Sequence, residues 1–378
     1  MQDNPKKALV FSFTYFPFIG GAEVALKEIT KRIPHIQFDI VTARLDKESP
    51  REETVGNTNI YRVGRGSKLD KIFYPIHAFL FSQKLHKKNK YNLVWAMMAT
   101  WAGIAALLFK LFNKKVKYLL TLQSGDSDFF IWLRTWFWYP FYRMVYTKAD
   151  HIQVISNWLG QRARKYGYKG DVSVIPNGVD LDKIKNIDNK IQIDIPKDNK
   201  VILTVSRLVK KNDVESLIRS VHLLITKHKL PVSLIIAGPG KLENKLKKLV
   251  KDLKIDQQVI FLGNVPHQQV LKYYSIADVF VRPSLSEGLG VSFIEAMAAG
   301  LPIIAPPVGG IPDFLKDKET GLFCKVKDPS NLAEKVKTLL EDSHLHQKLQ
   351  ASGIKLVKER YDWDIIGESM YKIINRLA

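Results

Sequence analysis

Cysteine is almost absent from this chain of 378 residues, because Cys324 is its only thiol. A single thiol excludes an intrachain disulfide and a thiolate-rich zinc site, and it favours a reducing compartment, so we expect a cytoplasmic protein. Tracts of Gln, Ser or Pro are also missing, and apolar residues make up 46% of the chain. Such a composition is typical of a folded protein with a large core.

The sequence has little that resembles a signal peptide or a membrane span. An apolar run follows Lys6 and Lys7, but Pro17 and the glycines after it interrupt the run, which favours a buried first strand. The uncharged segment Leu93–Phe109 approaches spanning length, yet it begins LVWAMM and continues AGIAALLF. This order predicts a strand followed by a buried helix rather than a membrane span.

Acidic residues are few compared with basic ones, and the net charge is +21. Residues 1–182 carry 27 Lys and Arg against 15 Asp and Glu, so the excess is spread over the chain and is not a terminal tail. A basic surface attracts anionic membranes, nucleic acids and phosphorylated ligands alike. Charge alone therefore does not select the partner.

Short apolar runs alternate with amphipathic stretches from end to end, which predicts an α/β fold with parallel sheets covered on both faces. A length of 378 residues predicts two domains. We expect a first domain over 1–182, a polar linker over 183–200, a second domain over 201–360 and a last helix over 361–378. The predicted strands start at Ala8, Phe38, Asn92, Lys117, His151, Val172, Val201, Val232, Val259, Asp278, Pro302 and Gly321.

One helix of the second half is predicted by periodicity, with apolar residues at the i, i+3, i+4 and i+7 positions between Val214 and Ile225. We expect this helix to pack on the second sheet.

The most informative segment is SLSEGLGVSFIEAMAAGLPIIAPPVGGIPD, from Ser284 to Asp313. A predicted strand is followed by the glycines of EGLG and then by a helix that ends near Gly300. Glycines at such a turn let backbone N–H groups approach an anion, and the helix N-terminus adds a positive dipole. The pattern predicts a phosphate site.

Two carboxylates accompany this predicted phosphate site. Glu287 precedes the helix and Glu295 lies within it. A carboxylate accepts two hydroxyl hydrogen bonds, so Glu295 suits a ribose diol and Glu287 suits a hexose. Without the glycines, the pair would be better explained as a solvated helix face.

These residues resemble the donor site of the family 4 (group 1) glycosyltransferases, in which two glutamates stand in an E-x7-E arrangement. The resemblance extends along nearly the whole chain, through GGAE at 20–23, VIPNGVD at 174–180, VSRLVKK at 205–211, AGPGKLENKL at 237–246 and FLGNVP from Phe261. It implies a GT-B fold of two facing Rossmann-like domains with a donor cleft between them. It also implies a nucleotide diphosphate sugar as donor, retention of anomeric configuration and no obligatory metal or other cofactor.

The family's functional residues map onto this sequence with two departures. Arg207 resembles the arginine that neutralises the donor pyrophosphate, a task that suits a guanidinium group. The lysine usual five residues later is Asn212 here, and Lys211 is the expected substitute. The donor-binding positions implied by the resemblance are Gly20, Gly21, Arg207, Lys211, Gly263, Asn264, Val265, Glu287, Leu289, Gly290, Val291 and Glu295.

The second departure concerns catalysis, because Gln123 stands where many members have a histidine. An amide forms hydrogen bonds but is neither an acid nor a base near neutral pH. We therefore expect the leaving pyrophosphate, stabilised by Arg207, Lys211 and the helix N-terminus, to accept the acceptor proton. The expected catalytic residues are Glu287, Arg207, Lys211 and Gln123.

A metal is not expected, although the D-x-D pattern occurs at 126–128, 180–182 and 362–364. Three occurrences in one chain show how little the pattern means. The glycine-rich segments also lack the Walker lysine and the dinucleotide-binding spacing, which argues against kinases and dehydrogenases.

The stretch Phe129–Lys148 is rich in aromatic and basic residues. It is explained either by core packing or by a membrane interface, which aromatic side chains favour. With the basic segment Lys84–Tyr91, it suggests that the first domain docks on an anionic membrane surface.

The function predicted from the sequence is a cytoplasmic, membrane-peripheral retaining hexosyltransferase that uses a UDP- or GDP-sugar. The expected acceptor is lipid-linked or a polysaccharide of the cell envelope, and nucleic acid is not an expected partner. Two alternatives stay open at this point: a nucleotide-sugar epimerase on the same fold, and a basic lipid- or nucleic-acid-binding protein without catalysis.

Overall fold

The computed structural model describes residues 6–18, 20–67, 70–185 and 193–378. They divide into two compact units. The first unit holds the chain up to Asn177 together with Trp363–Ala378, and the second holds Gly178–Asp362.

An eight-stranded sheet forms the centre of the first unit, in the order β3-β4-β2-β1-β5-β6-β7-β8. Its strands are β1 Lys6–Ser12, β2 Ile36–Ala43, β3 Glu52–Val55, β4 Thr58–Val63, β5 Leu93–Met97, β6 Lys117–Leu122, β7 His151–Val154 and β8 Val172–Val174. Its helices are α1 Gly21–Lys31, α2 Asp70–Asn89, α3 Trp101–Phe112, α4 Asp128–Thr135, α5 Tyr139–Thr147 and α6 Asn157–Lys165. All neighbouring strands pair in parallel except β3 and β4.

The second unit is built on a parallel sheet in the order β11-β10-β9-β12-β13-β14. Its strands are β9 Lys200–Val205, β10 Val232–Ala237, β11 Val259–Gly263, β12 Val279–Val281, β13 Ile303–Ala305 and β14 Leu322–Phe323. Its helices are α7 Leu181–Lys185, α8 Val214–Thr226, α9 Glu243–Asp252, α10 His267–Ile276, α11 Val291–Ala298, α12 Pro329–Glu341 and α13 Ser343–Arg360. Single 3₁₀ turns occur at Trp136–Trp138, Lys210–Asn212 and Ile311–Asp313.

The last helix, α14 Trp363–Leu377, belongs to the first unit. Its buried face includes Trp363, Ile366 and Met370, which share a core cluster with Leu26 and Ile29 of α1. Arg32 and Asp364 form an ion pair with 2.7 Å between Nε and Oδ1. Apolar packing therefore brings the end of the chain back to its first sheet.

The expected α/β pattern is confirmed, since every predicted strand start lies within two residues of an observed strand. The uncharged segment is strand β5, which is buried throughout, followed by α3. Helix α8 packs its predicted apolar face into the core of the second unit. Of the residues predicted for this face, Ile225 is half-buried and the others are buried. Continuous apolar runs suit parallel strands that are covered on both faces.

Three features differ from the sequence-based picture or fall outside it. The β3–β4 hairpin was not predicted, because β3 is a short edge strand of the sequence EETV with little buried apolar surface. The linker expected over 183–200 lies partly outside the described residues, which omit 186–192. The aromatic stretch Phe129–Lys148 is two helices, α4 and α5, joined by a 3₁₀ turn.

None of the helices among the described residues has both the length and the apolarity needed to cross a membrane.

Candidate functional site

The loops that follow β9, β10, β11 and β12 lie side by side at the carboxyl edge of the second sheet. The backbone N–H of Gly238, after β10, donates to the carbonyl of Gly263 at 2.8 Å. The N–H of Leu285, after β12, donates to the carbonyl of Lys211 at 2.7 Å. Ligands of parallel α/β sheets bind at this edge, so the four loops form the candidate site.

Glycines make the close approach of these loops, and of the loop after β13, possible. A Cβ added at Gly238, whose φ is +128°, would lie 2.2 Å from the Ser206 carbonyl oxygen. A Cβ at Gly309, whose φ is +58°, would lie 1.9 Å from the Glu287 carbonyl oxygen. Both positions require glycine for space and for backbone conformation.

Helix α11 begins at this edge, as the sequence predicts. Its N-cap is Gly290, with a φ of +89°, and a Cβ there would lie 2.6 Å from the Phe293 ring. The neighbouring Leu289 is buried, whereas Val291 is half-buried. The turn therefore presents backbone N–H groups and the positive end of the helix dipole, which suit a phosphate.

Glu287 lies just before α11 and is paired with Arg282, which follows β12. The distance between Arg282 Nη2 and Glu287 Oε2 is 2.5 Å, and the two side chains are only 12% and 14% exposed. The contact is an ion pair rather than an aligned hydrogen bond, because Glu287 Oε2 has no hydrogen-bond partner in the described chain. Arg282 Nε also has none there. The other Glu287 oxygen, Oε1, accepts from the N–H of Gly288 at 3.1 Å.

Asn212, which stands where the resemblance leads us to expect a lysine, is buried and joins two loops. Its Nδ2 donates to the Arg207 carbonyl at 2.6 Å, and its Oδ1 accepts from Arg282 Nη2 at 3.2 Å. Arg282 Nη1 also donates to Ser292 Oγ at 3.0 Å. Asn212 thus connects the loop of Arg207 to the cation that holds Glu287.

The two expected pyrophosphate cations differ in exposure. Arg207 is exposed, and Lys211 is half-buried beside Asn212. Both lie in the loop after β9, so both belong to the same sheet edge as Glu287.

Glu295 is buried within α11, and protein groups already contact its two oxygens. His267 Nε2 donates to Oε1 at 2.6 Å, and the Tyr274 hydroxyl donates to Oε2 at 3.0 Å. The hydrogen bond to Glu295 raises the pKa of the His267 imidazole above its usual value. Each carboxylate oxygen has a second lone pair that remains suited to a ligand hydroxyl.

The loop expected to meet the nucleotide base follows β11. Gly263 has a φ of +65° and no atom within 4 Å of an added Cβ. Asn264 is exposed and Val265 is half-buried. The open space above this loop is consistent with contacts through backbone groups.

In the first unit, Gly20 and Gly21 start α1. Gly20 is the N-cap, and a Cβ there would lie 2.7 Å from the carboxylate of Glu23. Glu23 is buried and accepts a hydrogen bond from the Thr14 hydroxyl. Gly21 is exposed, with open space around an added Cβ.

Gln123 follows β6 of the first unit, and its Oε1 accepts from Asn177 Nδ2 at 3.0 Å. In the loop after Gln123, Arg162 Nη1 donates to the Ser124 carbonyl at 3.0 Å, and Arg162 Nε lies 3.0 Å from Asp128 Oδ1. Lys165 Nζ lies 2.6 Å from Asp128 Oδ2. The loop is therefore fixed by a buried arginine.

The described ranges contain no group of three or more His, Cys, Asp or Glu side chains that is placed to bind a metal ion. Of the D-x-D segments, the first has Asp128 between two cations, and the second has Asp180 paired with Lys183 at 2.7 Å.

Sequence reasoning missed three residues of the site, namely Arg282, His267 and Tyr274. Arg282 could have been found, because a charged residue directly after a buried strand indicates a position at the carboxyl edge of the sheet. His267 and Tyr274 lie in α10, and they meet Glu295 only through the packing of α10 against α11.

Comparison with known proteins gives two family matches. The model described as glycosyl transferases group 1 matches residues 185–356, and the model described as glycosyltransferase family 4 matches residues 19–183. A GDP-mannose-dependent monoacylated alpha-(1-6)-phosphatidylinositol monomannoside mannosyltransferase of Corynebacterium glutamicum is 29% identical over 98% of this chain and 98% of its own.

Solved structures agree in fold. Sucrose-phosphate synthase of Thermosynechococcus elongatus has a TM-score of 0.82 at 20% identity, covering 98% of this chain and 99% of its own. HepE of Anabaena, solved with UDP and glucose, has a TM-score of 0.77 at 16% identity, covering 98% and 100%. The predicted GT-B fold class, with two α/β units built on parallel sheets, is confirmed.

Proposed function

Because this chain belongs to the group 1 glycosyltransferases and uses a nucleotide-sugar donor, we propose that it transfers a hexosyl unit from a UDP- or GDP-sugar to a lipid-linked acceptor, with retention of anomeric configuration. The acceptor class is supported by the mannosyltransferase of C. glutamicum, whose name specifies an acylated phosphatidylinositol mannoside. The other expectation from the sequence is a polysaccharide acceptor. An assay of hexosyl transfer to lipid and to polysaccharide acceptors distinguishes the two.

The observation that carries this proposal is the carboxyl edge of the second sheet. Arg207 and Lys211 follow β9, Glu287 precedes α11 and Glu295 lies inside it. Two cations and a helix N-terminus suit a pyrophosphate, and two carboxylates suit sugar hydroxyls. We assign the pyrophosphate to Arg207, Lys211 and the α11 N-terminus, the ribose to Glu295 and the hexose to Glu287.

In the proposed reaction the donor itself supplies the base. The bond between the anomeric carbon and the pyrophosphate oxygen breaks, the acceptor oxygen bonds to the same face of that carbon, and the acceptor proton passes to the departing phosphate oxygen. Gln123 is an amide whose Oε1 is occupied by Asn177, which supports a route without a side-chain base. A large loss of rate in Asp126→Asn, with unchanged donor binding and unchanged stability, would contradict this route.

Donor binding is tested by a thermal-shift and hydrolysis screen of UDP-, GDP- and ADP-sugars, with GDP-mannose and UDP-glucose included. We expect one donor to stabilise the wild type and to lose that effect in Glu295→Ala. Glu334→Ala is the matched control, because Glu334 is a surface carboxylate of the same unit that lies 3.4 Å from His228. Stabilisation by no donor, or equal stabilisation of Glu295→Ala, would refute the assigned site.

A membrane-facing surface is proposed for the first unit. The outward face of α4 and of the 3₁₀ turn after it, defined by Phe129, Trp132, Leu133 and Trp136, is between 51% and 71% exposed. These positions are spaced i, i+3, i+4 and i+7, which places them in one stripe of the helix. In contrast, Tyr142 and Tyr146 of α5 are buried, so the aromatic stretch serves both the core and the surface.

The charge of the first unit favours an anionic lipid surface as the partner of this stripe, because aromatic residues and basic groups together bind membrane interfaces. The end of α2 carries Lys84, Lys87 and Lys88. We expect the protein to float with vesicles that contain phosphatidylglycerol and not with neutral vesicles. Floating of a Trp132→Ser, Trp136→Ser variant to the same extent as the wild type would refute this surface.

We further propose that the first unit binds the acceptor and that the second unit binds the donor. The same membrane surface would lie on the cytoplasmic side, where the lone and buried Cys324 stays reduced.

A further inference from the structure

A cavity of the first unit is lined by residues other than the expected donor-binding ones. It has a volume of about 730 Å³. Cavities of about 300–1,000 Å³ are typical of small-molecule sites. Its walls come from α2, α3, the loop after β6, α4 and α5.

The walls are mostly apolar. Helix α3 packs Ala102, Ala105 and Phe109 against the sheet, where they are fully buried. Its next face carries Ile104 and Leu108, which are half-buried and line the cavity. Apolar walls offer water few hydrogen-bond partners, so they suit an apolar ligand better than water.

Helix α4 has apolar residues on two faces. Its outward face, defined above by residues 129, 132, 133 and 136, does not line the cavity. Phe130, which is 39% exposed, and the half-buried Ile131 do line it. Apolar side chains of α4 therefore lie both in the surface stripe and in the cavity wall.

The cavity lining has an exposed apolar part and a polar part. Ile72 and Ile76 of α2 and Phe137 of the 3₁₀ turn line the cavity and are 51% to 70% exposed, so they mark its opening to the surface. The lining also includes Gln123 and Ser124, which follow β6 and carry polar side chains. In parallel sheets the carboxyl ends of strands are the positions where ligands are bound.

We propose that this cavity binds one hydrocarbon chain of the amphipathic acceptor, with the hydroxyl-bearing head group beside Gln123. This inference rests on the proposed function, because it takes the acceptor to be a lipid. The occupant follows from the apolar walls, the polar part beside the strand edge and the opening next to the exposed α4 stripe. An acyl chain leaving the membrane would enter over a mostly apolar surface.

Burial of methylene groups sets the expected size of the effect. Each additional CH₂ that enters the cavity tightens binding about fourfold, which is the contribution of one buried methylene group. A chain that only touches an exposed surface gains much less per carbon, because part of it stays in water. The dependence of affinity on chain length therefore distinguishes the two modes.

The test is calorimetric titration of the full chain with hexyl, octyl and decyl β-glucoside, each below its micelle-forming concentration. We expect the dissociation constant to fall about fourfold per added methylene. Ile104→Trp and Leu108→Trp each place a large side chain in the cavity. Two variants are used because overpacking can destabilise either of them. Either variant, once shown to be folded, is expected to weaken decyl glucoside binding at least tenfold.

The matched control is the Phe129→Ser, Trp132→Ser variant, which alters the outward stripe and leaves the cavity walls intact. It is expected to bind decyl glucoside as the wild type does. Affinity independent of chain length, unchanged binding in the folded tryptophan variants, or loss of binding in the control alone would overturn the proposal.

Donor binding is measured on the same preparations to separate this inference from the proposed function. A protein that binds a nucleotide sugar but shows no chain-length dependence keeps the proposed function and refutes the cavity assignment. A protein that binds alkyl glucosides but no donor supports the cavity and refutes the proposed function.

Discussion

Replacing Arg282 with methionine is expected to destabilise the second unit strongly. The guanidinium lies 2.5 Å from the Glu287 carboxylate, with both side chains less than 15% exposed. Methionine keeps the apolar part of the side chain but leaves the carboxylate buried without its cation. Removing one partner of a buried ion pair costs about 3–5 kcal/mol.

This cost converts into a measurable shift of the melting temperature. A domain of the size of Gly178–Asp362 loses about 2–4 °C per kcal/mol, so we expect a decrease of about 6–20 °C. The hydrogen bonds from Arg282 to Asn212 and Ser292 are also lost, and each hydrogen bond of a charged group contributes about 1.5–3 kcal/mol. Calorimetry and urea unfolding measure the change.

The control is Arg219→Met in the same unit. Arg219 pairs with Glu215 at 3.0 Å in an i, i+4 arrangement, with the side chains 46% and 34% exposed, so its loss should cost about 0.3–0.5 kcal/mol. A double-mutant cycle with Glu287→Gln isolates the pair. A loss in Arg282→Met as small as that of the control would refute the view that the pair is buried and organises the site.

Three further predictions concern the same unit. Protonated His267 stabilises the fold fully below about pH 6.5, and this contribution is lost as pH rises through the raised pKa of His267. In His267→Gln the contribution is absent, so the free energy of unfolding, measured with urea between about pH 6 and 8.5, should depend less on pH than in the wild type. Tyr274→Phe removes a 3.0 Å hydrogen bond to Glu295 and should cost about 1.5–3 kcal/mol in urea unfolding. Gly309→Ala places a Cβ 1.9 Å from the Glu287 carbonyl oxygen and should cost more than the roughly 1–2 kcal/mol of a left-handed residue alone, while raising the KM for the donor.

The control for the glycine variant is Gly56→Ala. Gly56 has a φ of +59° but no atom within 4 Å of an added Cβ, so it shows the cost of the backbone conformation alone. Equal losses in the two alanine variants would show that the close approach at Gly309 is unimportant. A pH profile of His267→Gln that matches the wild type would contradict the role of the imidazole.

Much of the fold was predictable, because buried parallel strands are nearly continuous apolar runs. The run at 93–97 and the helix after it were recognised from their residue types alone. The β3–β4 hairpin was missed, since its edge strand is mostly exposed and carries no such run. Its stability depends on the buried side chain of Arg62, which pairs with Glu53, and sequence patterns do not show such contacts.

The candidate site was predictable where a local motif encodes it and not where packing creates it. The turn before α11 is visible in the spacing of its glycines. The role of Asn212 was not, because the sequence shows only a missing lysine, whereas the structure shows an amide that joins the Arg207 loop to Arg282. The apolar cavity of the first unit likewise depends on how α2, α3 and α4 are arranged.

The most direct test of the account is mass spectrometry of lipid products. The full chain is incubated with the nucleotide sugar selected by the donor screen and with lipid extracts that contain glycolipids, and Glu287→Gln is assayed alongside. We expect one lipid class to gain the mass of one hexosyl residue with the wild type and far less with the variant. Release of free sugar without a glycosylated lipid, or equal product from Glu287→Gln, would contradict the central claim.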